Sequence, residues 1–405
     1  MRILIADTFS EVHLDEFRQL GLAVDYREAL TQEELPQAIG DAGILVVRST
    51  EVTAKTIEAG QALALIVRAG AGVNTIDRKA ASARGIFLAN CPGKNAIAVA
   101  ELTLGLLLAL DRRIPDNVID LRAGHWNKRE YSRAQGLYGR TLGVLGTGAI
   151  GREVIARAQA FGMRIFAWSR SLTDATARDL GIERAASIPE LCALVDALTL
   201  HLPLTRETRG ILDEAALARL KPGALLVNTA RAELVDGAAL HRAITKRQLR
   251  VAVDVFDEEP KGATGDFADP LVALSGLVYG THHIGASTEQ AQQAIADETV
   301  RIVRGFVARG KVDHCVNLCA RSPAAFLLRV RHLDQIGVLA EVLGAIRRAS
   351  INVEEMENTI FEEARAACAL LRLASRPPEQ LLDELRARDA ILYVDVVELG
   401  ESILE

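Results

Sequence analysis

The sequence predicts an α/β protein of two parallel-sheet domains with a cleft between them, followed by a smaller ferredoxin-like α+β domain. Three observations carry that expectation. Short, continuous apolar runs alternate with amphipathic helical stretches through most of the 405 residues. A glycine triplet stands at a strand-to-helix junction near the middle of the chain. From Ala324 onward the order changes to strand, helix, strand, strand, helix, strand.

In residues 1–95 the runs RILIAD, AGILVVRS, LALIVRAG and GIFLAN each neighbour an amphipathic stretch. Strands covered by helices on both faces read as unbroken apolar runs rather than alternating ones. The segment 96–110, AIAVAELTLGLLLAL, is too short to span a bilayer and contains Glu101, so it reads as a buried helix. A second long helix is expected over about 286–309. The two helices flank the second unit and would carry the chain into it and back. The expected domains are 1–95 with 286–315, 96–285, and 322–405, with a connector over 311–323.

The second unit opens with LGVLGTGAIGREVI. Gly146, Gly148 and Gly151 follow an apolar strand in G-x-G-x-x-G order and run into a helix containing Ala149 and Ile150. The first glycine makes the tight turn, the second lets a pyrophosphate approach the backbone, and the third lets helix and strand pack closely. Free N–H groups at the helix start attract the anion. A Rossmann-like dinucleotide site is therefore expected, with LVDALTLHLPL, GALLVNTAR, VAVDVF and GLVYGTHH as further strands. The second strand ends in Ser169 and Arg170, not in the carboxylate that usually accepts the ribose 2′-OH. A hydroxyl and a guanidinium would welcome a 2′-phosphate, so the expected cofactor is NAD or NADP. Asp174, in SLTDATARDLG, reads as a helix cap.

Composition excludes other classes. A net charge of −6 with no basic block argues against nucleic acid. The five cysteines form no C-x-x-C pair, which predicts no metal site and a reducing compartment. MRILIADTFSEVHLDE reads as a strand and a polar helix, not a signal peptide, so a cytoplasmic protein without a membrane segment is expected.

Three polar residues stand at strand ends of the nucleotide unit: Arg231 in NTARAELVD, Glu259 in DVFDEEP and His283 in THHIGAST. Together they suit the interconversion of a 2-hydroxy and a 2-oxo acid. A planar guanidinium holds a carboxylate, an imidazole exchanges a proton near neutrality, and a carboxylate fixes the imidazole's tautomer. Arg48, with Ser49 and Thr50, lies at a strand end before a helix, a natural anion seat.

With VRST, RAGAGVNTID, AELTLGLLLAL, GTGAIGREV, HLPLTRETRGIL, KPGALLVNTARAELVD, DVFDEEP and HHIGASTEQAQ, the chain resembles the D-isomer-specific 2-hydroxyacid dehydrogenases over nearly its whole length, and within them the phosphoglycerate-oxidising branch. The resemblance implies that Arg231 binds the substrate carboxylate, His283 is the acid/base and Glu259 orients it. It implies that Arg48 binds a substrate phosphate with help from Ser49 and Arg68, and that Ala71, Gly72, Val73 and Asn95 line the substrate site. Pro203, Thr208, Thr229 and Asp254 would border the cofactor. Two departures stand out: His282 replaces a usual Pro before the catalytic His, and Ala232 replaces a usual Gly after the Arg. The C-terminal domain resembles an ACT module, implying L-serine as an effector at His332, Asp334 and Asn352, and a homo-oligomer, dimer or tetramer. An NADPH-dependent hydroxypyruvate or glyoxylate reductase is the alternative enzyme, and a non-catalytic cofactor-sensing protein the alternative of another class.

Overall fold

The computed structural model describes residues 1–260, 264–274, 276–319 and 322–400, which fall into two compact units, Met1–Asn317 and Leu318 onward. Residues 320 and 321 of the expected connector lie outside the described residues.

The first unit holds two parallel sheets. Strands β1 (Arg2–Ile5), β2 (Ala23–Tyr26), β3 (Ala42–Val47), β4 (Leu65–Arg68) and β5 (Phe87–Asn90) pair in the order β2-β1-β3-β4-β5. Strands β6 (Thr141–Leu145), β7 (Arg164–Trp168), β8 (Glu183–Arg184), β9 (Ala197–Leu200), β10 (Leu225–Asn228), β11 (Arg250–Val253) and β12 (Val278–Gly280) pair in the order β12-β11-β10-β9-β6-β7-β8. Each sheet reverses direction once, between β1 and β3 and between β6 and β9, and ligands of such sheets bind at the carboxyl ends beside the reversal. Neither β2 nor β8 is expected from the sequence. Both are sheet edges, so neither needs the apolar run that marks a buried strand.

Two long helices connect the sheets of this unit. Helix Ala96–Arg112 packs Leu104, Leu107 and Leu110 against Leu142 and Val144 of the second sheet. Helix Glu289–Arg309 returns Ile295, Val300 and Val303 to the core formed by Ile3, Ile44 and Val67 of the first. The chain then runs along β5, where the Val316 N–H donates to the Leu88 carbonyl. The Asp174–Asp179 helix is capped by Thr173, which accepts from the Thr176 N–H, and not by Asp174. Asp174 is the first helical residue and pairs with Arg184 at 3.1 Å. No helix among the described residues is long and apolar enough to cross a membrane.

The second unit is an antiparallel sheet of β13 (Phe326–Leu333), β14 (Val353–Ile360), β15 (Ala366–Leu373) and β16 (Ile391–Glu398) in the order β14-β15-β13-β16. Helices Val338–Arg348 and Glu379–Arg386 supply Val342, Ile346, Leu382 and Leu385 to its core. This is the βαββαβ arrangement expected from the sequence.

Candidate active site

Arg231, Glu259 and His283 follow three neighbouring strands, β10, β11 and β12, all at their carboxyl ends. They line one cleft of about 320 Å³ together with Arg68, Gly72, Asn74 and Thr75 from the first sheet.

His283 Nδ1 lies 2.7 Å from Glu259 Oε2, while Glu259 Oε1 accepts the Phe256 N–H at 2.9 Å. An ionised carboxylate only accepts, so Nδ1 carries the proton and Nε2 is left for proton exchange. The pairing selects Glu259, the residue before Pro260, over its neighbour Glu258. His283 sits at φ +51°, a left-handed backbone that is uncommon outside glycine and concentrates at functional sites. Asp254 holds the backbone there. Its carboxylate accepts from Thr281 Oγ1 at 2.6 Å and from the N–H groups of Ile284 and Gly285, each at 2.8 Å. Asp254 is buried, and its carboxylate is bonded to the histidine loop. His282 is exposed and makes no hydrogen bond among the described residues.

Arg231 is aimed by a residue that the sequence reading missed. Asn228 donates to the Arg231 carbonyl at 2.8 Å and accepts the Ala230 N–H at 3.0 Å, which shapes the turn after β10. Opposite, Arg231 Nη2 lies only 2.7 Å from where a Cβ on Gly72 would stand, so the Ala71–Val73 loop meets the guanidinium closely. The Ala71 carbonyl is held by Asn90 Nδ2. Asn95, at the start of helix Ala96–Arg112, has a buried Oδ1 with no hydrogen-bond partner among the described residues.

Positive charge gathers on the first-sheet side. Arg68 ends β4 and Arg48 follows its neighbour β3, and burial, then the charges of Arg231 and Arg48, lowers the Arg68 pKa below the usual guanidinium value. The expected backbone anion seat, however, is filled from within. Asp7 Oδ2 accepts the N–H groups of Arg48, Ser49 and Thr50 at 2.7, 3.2 and 3.2 Å, and Asp7 Oδ1 accepts from Ser49 Oγ at 2.9 Å. Ser49 Oγ and the three N–H groups of the seat are thus all engaged by Asp7.

The glycine turn fits a dinucleotide. A Cβ on Gly146 would stand 2.5 Å from the His201 carbonyl, and one on Gly151 would stand 2.0 Å from the Gly146 carbonyl. Gly148 faces open space, and helix Ala149–Ala160 begins there with no side-chain cap. Its first N–H groups are free for an anion where a Cβ would intrude. Ala149 is exposed beside it and Ile150 half-buried. Pro203 is exposed past β9, across the sheet reversal. Thr208 is buried; its hydroxyl donates to the Pro203 carbonyl and accepts the Thr205 N–H, which staples this loop. Thr229 Oγ1 meets Thr103 Oγ1 at 3.1 Å, tying β10 to the long helix. Ser169 is half-buried and Arg170 exposed at the end of β7.

In the C-terminal unit, His332 is buried, with Nδ1 2.8 Å from the Leu333 carbonyl and Nε2 3.1 Å from Asn358 Oδ1. Both ring nitrogens thus have partners inside the domain. Asp334 and Asn352 are exposed.

Residues 104–285 match the family model of the D-isomer specific 2-hydroxyacid dehydrogenase, NAD binding domain. The D-3-phosphoglycerate dehydrogenase of Methanocaldococcus jannaschii is 40% identical over 352 residues, covering 85% of this chain and 64% of that protein. That of Mycobacterium tuberculosis is 37% identical over 381 residues, covering 92% of this chain and 69% of that protein. The chain thus spans about two thirds of the length of these relatives. Among solved structures, the TT0316 protein from Thermus thermophilus is similar with a TM-score of 0.69 and 33% identity, over 78% of this chain and all of that one. The NAD+-bound 3-phosphoglycerate dehydrogenase of Entamoeba histolytica is similar with a TM-score of 0.66 and 27% identity, over 78% and 99%.

Proposed function

The chain belongs to the D-isomer specific 2-hydroxyacid dehydrogenases, and we propose that it oxidises D-3-phosphoglycerate to 3-phosphohydroxypyruvate, the reaction that opens serine biosynthesis. The observation that carries this reading is the single cleft joining the His283–Glu259 pair and Arg231 to Arg68 of the first sheet. Arg231 holds the substrate carboxylate and polarises the oxygen on C2. His283 Nε2 takes the proton from the C2 hydroxyl, and Glu259 stabilises the imidazolium that forms. The turn of Gly146, Gly148 and Gly151 with the start of helix Ala149–Ala160 would hold a nicotinamide dinucleotide, which would supply the hydride acceptor for C2. His283 then releases its proton to solvent, and in the reverse direction returns one to the carbonyl oxygen. Arg48 and Arg68 offer charge to the phosphate; the Asp7-filled seat leaves this task to side chains rather than backbone.

Both NAD and NADP are read as cofactors. Ser169 and Arg170 at the end of β7 can meet a 2′-phosphate, and neither repels a free 2′-hydroxyl, so a tolerant site is favoured over strict NADP selection. The C-terminal unit is read as an ACT domain that assembles subunits, because its topology fits and its His332 is closed to a ligand. Serine added at millimolar concentration is expected to leave the rate unchanged.

The deciding experiment is initial-rate oxidation of 3-phosphoglycerate with each cofactor and the product trapped. Turnover with both, within about tenfold in kcat/KM, fits the reading. A brisk reduction of hydroxypyruvate or glyoxylate by NADPH with no oxidation of 3-phosphoglycerate would assign the chain to the reductases instead, the reading that Arg170 and the closed backbone seat favour.

A further inference from the structure

The first sheet has its own reversal point between β1 and β3, the place where sheets of this kind receive ligands. Asp7 follows β1 and Arg48 follows β3, so the two face each other across that crevice. The carboxylate of Asp7 takes three successive N–H groups and one hydroxyl from Arg48–Thr50. Such a concave set of amides is an anion site whatever the anion, and here the chain supplies its own. The β1 end is itself fixed, by the Ala6 N–H donating to the Val46 carbonyl and by an Asp7–Ala29 bridge. Asp7 also contributes a counter-charge to half-buried Arg68, whose buried Nε has no hydrogen-bond partner among the described residues.

We propose that Asp7 is a positioning residue for substrate: its carboxylate clamps the Arg48–Thr50 turn, so that Arg48 meets the anionic tail of the substrate on the same side as Arg68. This rests on the reading of the cleft as a 2-hydroxyacid site, though not on the phosphate itself. The short Arg48 N–H bond sets where that residue's Cα lies. Loss of the clamp would leave four donors without their acceptor and free the turn to move. The chemistry at His283 and Arg231, built on the other sheet, would stay in place. Substrate binding should therefore weaken while the chemical step persists.

The test uses Asp7→Ala and Asp7→Glu in the full chain, with steady-state kinetics on whichever 2-oxo acid the wild-type enzyme reduces best. Phosphorylated and unphosphorylated substrates are compared in the wild type first, so that a failure of the phosphoglycerate reading appears there, separately. In Asp7→Ala, KM is expected to rise about tenfold with kcat within about threefold, the loss of about one charged hydrogen-bonded contact. Acetate at tens of millimolar, filling the vacated seat, is expected to lower that KM again while only inhibiting the wild type. An unchanged KM in Asp7→Ala would overturn the proposal. So would a parallel fall in kcat and thermal stability with no response to acetate and no recovery in Asp7→Glu, which would mark Asp7 as a fold residue only.

Discussion

Arg231 Nη2 stands 2.7 Å from the position a Cβ on Gly72 would take, so the guanidinium and the Ala71–Val73 loop share a space that admits no side chain. The atom in the way is the far end of a flexible side chain, and Gly72 has no left-handed backbone to lose. Gly72→Ala should therefore fold normally and displace the guanidinium instead. A misplacement of about 1 Å at a reacting centre can cost about a hundredfold. We expect kcat/KM to fall by about one to two orders of magnitude, with a melting temperature within about 2 °C of wild type. A melting temperature lowered in step with activity would show that the glycine serves the fold.

The His283–Glu259 contact separates the two adjacent histidines. His283→Gln keeps a hydrogen-bonding side chain but cannot shuttle the proton, and should lower kcat by about 10²–10⁴. His282→Gln should leave kcat within about threefold, since that side chain is exposed and unbonded. Glu259→Gln should fall between them, because an amide offers Nδ1–H an acceptor without the charge that stabilises imidazolium. Single-turnover rates of hydride transfer are the measurement; a larger loss in His282→Gln would reverse the assignment.

Much of this site is readable from sequence because its parts are local. Apolar runs announce the buried strands, and Gly146, Gly148 and Gly151 stand at one turn. Arg231, Glu259 and His283 each follow a recognisable strand. What sequence hides is contact across distance. Arg48–Ser49–Thr50 reads as an open anion seat only because Asp7, 41 residues before Arg48, is invisible as its occupant. His332 looks like a ligand until the ring is found buried against Asn358, 26 residues away. The edge strands β2 and β8 escape for another reason: with four and two residues, none of them buried, they are too short and exposed to carry a periodic signature.

Glu298 predicts an acid-sensitive element at the junction of the two sheets. Its side chain, 3% exposed, accepts from Arg301 Nε at 3.1 Å and lies 3.1 Å from both Lys94 Nζ and His314 Nε2. Hydrogen bonding from Arg301, then Lys94, holds its pKa down to about 2 against the upward push of burial. The folded value is lower than the unfolded one, so the stabilisation is full above about pH 4.5 and is lost as the pH falls toward 2. Glu298→Gln should cost a few kcal/mol at pH 7, at about 1.4 kcal/mol per unit of displaced pKa. In urea unfolding, the gap between variant and wild type should close between about pH 4.5 and 2. A gap that stays constant over that window would place the effect in packing rather than charge.

The glycine turn predicts opposite outcomes at two positions. At Gly151 a methyl group would stand 2.0 Å from the Gly146 carbonyl, a backbone atom that cannot move aside without parting strand from helix. Gly151→Ala should be strongly destabilised, with losses in unfolding free energy of about 3 kcal/mol or more. At Gly148 the same methyl meets nothing within 4 Å, and the backbone there is extended, so the fold should accept it. The space it enters is where an anion would approach the free N–H groups of Ala149–Ala160. Gly148→Ala should therefore keep its thermal stability yet raise the KM for NAD and for NADP by at least about tenfold, since both carry the same pyrophosphate. An unaltered cofactor KM in a stable Gly148→Ala protein would move the pyrophosphate away from this helix and with it the whole placement of the nicotinamide against His283.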